Sequence, residues 1–155
     1  MDLFTRKILS WRLSNTMDAE FCIEVLQDAL TRYGAPEIFN TDEGSQFTMP
    51  RFTGLLEERQ IRISMDGRGR WLDNVFIERL WRSLKYECVY LHALETGSEL
   101  RVGLTKWITH DNGQRPHTAL AERTPDETYH GAPAPSGPGL TPDQMANSNA
   151  VKMAA

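Results

Sequence analysis

Cysteine is scarce in this chain of 155 residues, with Cys22 and Cys88 the only two. So few, set so far apart, they exclude a disulfide framework and a cysteine zinc site, and both read as free thiols of the core. Long apolar runs are missing too. No stretch nears the ~20 residues a membrane-spanning helix needs, and MDLFTRKILSW lacks the layout of a signal peptide. No membrane partner is expected, and a cytoplasmic location is. His92, His110 and His130 have no metal-ligand spacing, and no internal repeat is present. The net charge of -4 argues against a protein that coats nucleic acid non-specifically. With 40% hydrophobic and 25% charged residues, the chain has the composition of one globular domain.

What charge there is lies unevenly. Between 68 and 85, Arg68, Arg70, Arg79, Arg82 and Lys85 meet only Asp73 and Glu78, a local excess of +3. On charge alone, the commoner reading of such a patch is a solvated helix face.

The chain opens on Met1-Asp2-Leu3-Phe4, which looks like the end of a strand. Thr5-Arg6-Lys7 then turns, and Ile8 to Leu13 resumes an extended pattern. Asn15 or Thr16 is placed to cap a helix running to about Tyr33, with Cys22, Val25, Leu26, Ala29 and Tyr33 on one face. Gly34 and Pro36 end it. A strand over Glu37–Thr41 leads to Asp42 and the turn Glu43-Gly44-Ser45. Pro50 opens a second helix holding Phe52, Leu55 and Leu56, and Ile61–Met65 alternates as a strand. Gly67 and Gly69 break the loop after it. Asp73 or Asn74 caps a third helix, in which Ile77, Leu80, Trp81, Leu84 and Cys88 share a core face and Asn74, Glu78, Arg82 and Lys85 an adjoining one. A fourth helix is expected from Ser98 to Asp111, with Leu100, Leu104, Trp107, Ile108 and Asp111 on a common side, after which Gly113 and Pro116 forbid more helix. From Gly131 the sequence GAPAPSGPG and the small residues beyond it can fill no core. The domain reading is a folded part over 1–130 and a disordered tail over 131–155.

Asp42 and Glu78 form the candidate chemical pair. A carboxylate at the C-terminal end of a strand stands where open α/β sheets place their ligands. The 35 residues of 43–77 leave room for one helix, one strand and a loop that returns a second carboxylate to it. Mg²⁺ is hard, prefers oxygen and is held by a few Asp or Glu side chains. Two such ions about 3.5–4 Å apart can drive displacement at phosphorus. Taken alone, the pair is one of many in a chain with 21 acids.

Four blocks in order are far more specific. TDEGSQFT, the 35-residue gap, DNVFIERLWRSLKYE with a lysine seven after the glutamate, and DNGQRPHTAL followed by TPDE together resemble the DDE transposases of bacterial insertion sequences. The resemblance covers roughly residues 2 to 129. It implies an α/β, RNase H-like integrase catalytic core, a mixed sheet flanked by helices. Asp42 and Glu78 are then the second and third carboxylates of the triad, catalytic and metal-binding, and Lys85 contacts DNA near the scissile phosphate. Gly44, Ser45 and Gln46 shape the turn beside Asp42, with Gly44 there for positive φ and close backbone approach. Arg68, Arg70, Trp71, Asn74, Arg82, Arg115 and His117 join Lys85 as the DNA-binding set. Trp71 could stack on unpaired bases or plug the core, and Arg115 and His117 could touch phosphate or brace the active-site helix. The implied cofactor is Mg²⁺ or Mn²⁺. The implied partners are transposon-end and target DNA, a second copy, or a full-length transposase.

The match departs from the family at the start. The family's first aspartate lies on a central strand preceding Asp2-Leu3-Phe4, so the chain reads as an N-terminally truncated core lacking its first strand. The expectations are an incomplete site, loosely held metal, a marginal fold, and no hydrolysis or strand transfer by the chain alone. Two other readings are a non-catalytic regulator that poisons a full-length transposase and, less well matched by the Arg115-Pro116-His117 block, an RNase H-type nuclease acting on RNA.

Overall fold

The computed structural model describes residues 1–16, 18–65, 71–131 and 150–152, with the backbone alone at 71–74 and 150–152. Its elements run α1 (Ala19–Tyr33), β1 (Ile38–Thr41), α2 (Ser45–Thr48), α3 (Pro50–Glu58), β2 (Arg62–Met65), α4 (Trp71–Leu84), a π turn (Lys85–Val89), α5 (Gly97–Gly113), a 3₁₀ turn (Thr118–Leu120), α6 (Pro125–Tyr129) and β3 (Ala150–Lys152). None of the described helices is long and apolar enough to cross a membrane.

β1 is the middle strand, with β2 on one edge and β3 on the other. Successive residues of a strand face opposite sides of its sheet, and β1 uses both. Phe39 enters a cluster with Cys22, Leu26 and Leu30 of α1, Phe47 of α2, and Phe52 and Leu56 of α3. Ile38 packs instead with Met1, Leu3 and Ile77, the last from α4. Helices therefore cover both faces, the α/β layering the sequence implies. Phe52 is fully buried, its ring 5.8 Å from Phe39 and 5.3 Å from Phe47. A third cluster joins Ile8, Leu84 and Cys88 to Leu104, Trp107 and Ile108 of α5. Leu80 and Trp81 pack against both this cluster and that of Ile77, so the expected apolar face of α4 is the one the fold buries.

Several local expectations change. α1 is capped by Asp18, whose carboxylate accepts from the Phe21 amide at 3.0 Å, and not by Asn15 or Thr16. Thr16 donates its hydroxyl to Asp18 at 2.8 Å. The Phe21 and Thr16 bonds hold the Asp18 carboxyl below its ordinary pKa, and an ionised acceptor suits the positive end of a helix better than a hydroxyl. α4 begins at Trp71, so Asp73 and Asn74 lie inside its first turn and do not cap it. α5 carries a capping box between Thr96 and Glu99 and continues through Gly113 to Gln114. Glycine inside a helix costs only about 1 kcal/mol, so the stop comes later than expected. Thr124 and Glu127 build a second capping box on α6, a helix too short for an apolar repeat to announce.

The N-terminal segment is not a pair of strand arms. Asp2 accepts from the Thr5 amide and hydroxyl, both at 2.6 Å, while its own amide donates to the Lys7 carbonyl at 2.8 Å. Arg6 sits in the left-handed region at φ 65. Ile8 to Leu13 makes no regular strand, because a side chain stands in for the neighbour. Asn112 accepts from the Ile8 amide at 2.9 Å and donates to its carbonyl at 3.0 Å. Both pairings of the described sheet are parallel, where the resemblance implies a mixed sheet. Lys7 is buried and ties the N-terminus to α6, its Nζ 3.0 Å from Asp126 and 3.2 Å from His130 Nε2.

Most of the expected disordered tail lies outside the described residues, as does the loop 66–70. Ala150–Lys152 departs from that expectation by pairing as β3 with Ile38, Phe39 and Asn40. A strand edge offers backbone donors and acceptors that ask little of the incoming side chains, so composition gave no sign of it.

Candidate functional site

Asp42 follows the last residue of β1 directly, at the C-terminal end of a strand flanked on both sides by parallel neighbours. Thr41 beneath it is buried; Asp42 itself is exposed. The Gly44 amide donates to Asp42 Oδ1 at 2.9 Å, and Gly44 then caps α2 with a carbonyl that accepts from Phe47 at 2.9 Å. Phe47 is anchored in the core. The turn that aims the carboxylate is thus tied to the core cluster of Phe39 and Phe52. Gly44 has φ -58, so positive φ is not its reason for being glycine. Room is. A Cβ there would meet Asp42 Oδ1 at 2.9 Å and Gln46 Nε2 at 3.0 Å.

Glu78 lies on the exposed side of α4, next to the buried Ile77. Among the described residues no hydrogen bond or ion pair takes up its carboxylate. Arg82 and Lys85 are exposed too, which leaves an acid and two bases on α4 and its continuation. Lys85 opens the π turn Lys85–Val89. One extra residue in a helical turn rotates the residues beyond it, and here it leaves Cys88 buried and the neighbouring Tyr86 and Tyr90 exposed. The two carboxylates are hard oxygen donors and fit a divalent cation such as magnesium. No group of three or more metal-ligating side chains occurs among the described residues.

Arg115 and His117 are turned toward the fold. The Arg115 guanidinium donates to Glu87, lies 3.1 Å from Asp111 and covers the Trp107 ring at 5.3 Å. Trp107 Nε1 donates to the same Glu87 carboxylate at 3.0 Å. Burial pushes the Glu87 carboxyl up, yet the bonds from Arg115 and Trp107 outweigh it and hold its pKa below the ordinary value. Burial dominates at Asp111 and raises its carboxyl despite Arg115 and His117. His117 Nε2 is 3.9 Å from Asp111 and has no hydrogen-bond partner among the described residues, while the His117 amide donates to the Arg123 carbonyl at 2.9 Å. Arg115 thus ties Glu87 of the π turn to Asp111 of α5, while His117 meets only Asp111 and the Arg123 backbone in the described contacts.

The remaining expected site residues divide plainly. Arg68 and Arg70 lie outside the described residues, and Trp71 and Asn74 fall in the first turn of α4 with their side chains outside the description. Sequence reasoning missed Arg6, Glu87 and Asn112. Arg6 sits 3.2 Å over the Phe76 ring of α4, and burial first, then the charge of Arg79, lowers its pKa to about 10 against the opposing pull of Asp2. Asn112 stood inside the DNGQRPH block, and its position there was the available signal.

Known proteins match this arrangement in sequence and in fold. The family described as integrase core domain matches over residues 1–70 and again over 59–125. The chain belongs to the integrase core family, among the insertion-sequence DDE transposases. It is 32% identical over 129 residues to the Escherichia coli (strain K12) transposase InsK for insertion sequence element IS150, a match covering 82% of this chain and 46% of that protein. The chain therefore spans about half the length of the curated relatives it matches. In fold it resembles the catalytic core domain of BIV integrase, with a TM-score of 0.67 at 19% identity over 83% of this chain and 80% of that one. It also resembles the HTLV-2 integrase catalytic core domain solved in complex with magnesium, with a TM-score of 0.52 at 18% identity over 80% and 75% of the two chains. The fold is that of the RNase H-like integrase cores.

Proposed function

We propose that this chain supplies the second and third carboxylates of a DNA transposition site, Asp42 and Glu78, and is inactive alone. The observation that carries this reading is the Asp42 carboxylate, exposed at the C-terminal end of β1 and oriented by the Gly44 amide at 2.9 Å. Glu78 faces solvent from α4 with no partner among the described residues, and both positions match the family's motif. A divalent ion held there, magnesium or manganese, lowers the barrier to attack on a DNA phosphodiester by polarising the attacking and leaving oxygens. The chain's own part is to fix Asp42 through Gly44, to present Glu78 on a helix anchored by Ile77, and to set Lys85 beside the phosphate. Arg82, and the Arg68, Arg70, Trp71 and Asn74 of the preceding segment, extend the contact with DNA. Arg115 braces the continuation of α4 through Glu87.

The family's chemistry uses three carboxylates, and two are offered here. In the test below the third is supplied by the N-terminal piece of a relative, on transposon ends and target DNA. The test is complementation. This chain is mixed with the N-terminal half of an IS150-type transposase, DNA ends and Mg²⁺ or Mn²⁺, and 3′-end cleavage and strand transfer are followed. The chain alone should give no product, the mixture should give joined product, and Asp42→Ala or Glu78→Ala should abolish it. Product from the chain alone, or joining indifferent to both substitutions, contradicts the reading. A fall in joining when the chain is added to an intact transposase marks it as the regulatory partner instead.

A further inference from the structure

Four exposed side chains follow one another along the helix that carries the candidate acid. Glu78, Arg82, Tyr86 and Tyr90 are spaced four residues apart, and all four face solvent. With about 3.6 residues per α turn, such neighbours lie close to one stripe. The π turn, closed by the Tyr90 amide donating to the Lys85 carbonyl at 2.9 Å, carries the stripe past Leu84, where α4 ends. There the rings of Tyr86 and Tyr90 stand 5.4 Å apart, edge to face. They are 62% and 66% exposed, and the adjoining Leu91 is 73% exposed. Large apolar groups gathered on a surface mark a place of interaction, and the chemistry of Asp42 and Glu78 uses none of the three.

The charges around the rings say what they meet. Arg82 and Lys85 are exposed beside them, and neither side chain has a hydrogen bond or ion pair among the described residues. Glu87 is the one acid between Arg79 and Leu94, and its carboxylate is taken up by Arg115 and Trp107. What remains on this face is a pair of cations beside a pair of aromatic rings, the combination that holds phosphate and nucleobase together. A tyrosine ring has few rotatable bonds and loses little freedom when a flat group stacks on it.

We propose that Tyr86 and Tyr90 form a stacking site for an unpaired nucleobase, on the DNA strand whose phosphates Arg82 and Lys85 hold. This rests on the DNA reading of Asp42 and Glu78. Tyr86 lies about 12 Å along the helix axis from Glu78, so the base it takes belongs to a nucleotide a few steps from the phosphate at the metal. A base inside a duplex is stacked on both sides and must be taken out before a protein ring can meet it. The site therefore favours DNA that is frayed or single-stranded at that point.

The full chain is titrated by fluorescence anisotropy against two labelled duplexes of one sequence, the first with a single-stranded overhang and the second with the same overhang made abasic. Their phosphates are equal in number, so the difference in affinity reads contact with bases alone. The parent should bind the overhang that keeps its bases about 5- to 100-fold more tightly. Tyr86→Ala/Tyr90→Ala should bind the two duplexes alike, and Tyr86→Phe/Tyr90→Phe should keep most of the preference, because stacking needs the ring and not the hydroxyl. Circular dichroism melts should coincide for all three, since the exposed rings fill no core. Equal binding of both duplexes by the parent, with affinity that still falls in Lys85→Ala, overturns the stacking site and leaves the DNA reading standing. No binding of either duplex overturns both. A base preference that survives Tyr86→Ala/Tyr90→Ala overturns the assignment to these rings, and self-association in sedimentation that this variant abolishes would then give the patch to a protein contact.

Discussion

The side-chain amide of Asn112 pairs with both backbone groups of Ile8, accepting from its amide at 2.9 Å and donating to its carbonyl at 3.0 Å. One residue near the end of α5 thereby does for the N-terminal segment what a neighbouring strand would do. Asn112→Ala leaves both Ile8 groups unmatched, each at about 1–3 kcal/mol if water cannot reach it. Chemical denaturation should show a loss of at least 1 kcal/mol, and Asn112→Asp, which keeps the acceptor alone, should fall between. Equal stability of Asn112→Ala and the parent would remove this clamp from the account.

Gly44→Ala separates room from backbone freedom. The φ of -58 at Gly44 suits alanine, so the melting temperature should hardly move. The new Cβ meets Asp42 Oδ1 at 2.9 Å and turns the carboxylate aside. Disturbing a group that orients a metal ligand typically weakens affinity about 10- to 100-fold. Titration with Mn²⁺ should place the variant in that range; unchanged affinity would detach Gly44 from the site.

Thr41 is buried, and its hydroxyl has no hydrogen-bond partner among the described residues. A buried hydroxyl without a partner costs free energy. Thr41→Val keeps the shape and should be neutral or stabilising by up to about 1 kcal/mol in denaturation. Clear destabilisation would mean that the hydroxyl is matched.

Stability should depend on pH through Glu87 and Asp111 in opposite senses. The folded pKa of Glu87 is lowered, so its contribution is present above the unfolded carboxylate value and is lost as pH falls through the folded one. The folded pKa of Asp111 is raised, so its contribution is present below the unfolded value and is lost as pH rises through the folded one. Glu87→Gln should be less stable than the parent at neutral pH, with the gap closing on acidification. Asp111→Asn should flatten the decline with rising pH just above the carboxylate range. Melting curves taken from pH 3 to 7 check both signs.

Bracing and phosphate contact also separate by salt. Each phosphate contact contributes about -0.9 to the slope of log affinity against log salt on B-DNA. Lys85→Ala should make the slope less negative by about 1 and leave the melt unchanged. Arg115→Ala should lower the melting temperature, since it leaves Glu87 and Asp111 without their shared cation, and should leave the slope alone. The reverse pattern would return Arg115 to the DNA surface.

The helices and the core face of α4 were legible because an apolar repeat at three and four residues survives inside any tertiary context. Ile77, Leu80, Trp81 and Leu84 needed no structure to be found. Pro50 likewise announced the start of α3. The role of Gly44 was half legible: closeness to Asp42 was read correctly, positive φ was not. Asn112 and Glu87 escaped because what they do depends on Ile8 and Arg115, residues 104 and 28 positions away, and periodicity does not carry such pairings. β3 escaped for a related reason. Ala150–Lys152 is a strand because of what β1 leaves open, not because of its own composition.

The central claim is that Asp42 and Glu78 grip one divalent ion or two adjacent ones. Iron(II) bound in place of magnesium and supplied with hydrogen peroxide and ascorbate is oxidised to iron(III) as it splits peroxide into hydroxide and a hydroxyl radical, which cuts the backbone beside the metal and so reports position without any need for activity. Cuts are expected around both Asp42 and Glu78, each set lost in Asp42→Asn and in Glu78→Gln and both suppressed by excess Mg²⁺. Cutting near only one of them, or cutting that persists in both variants, would contradict the shared site.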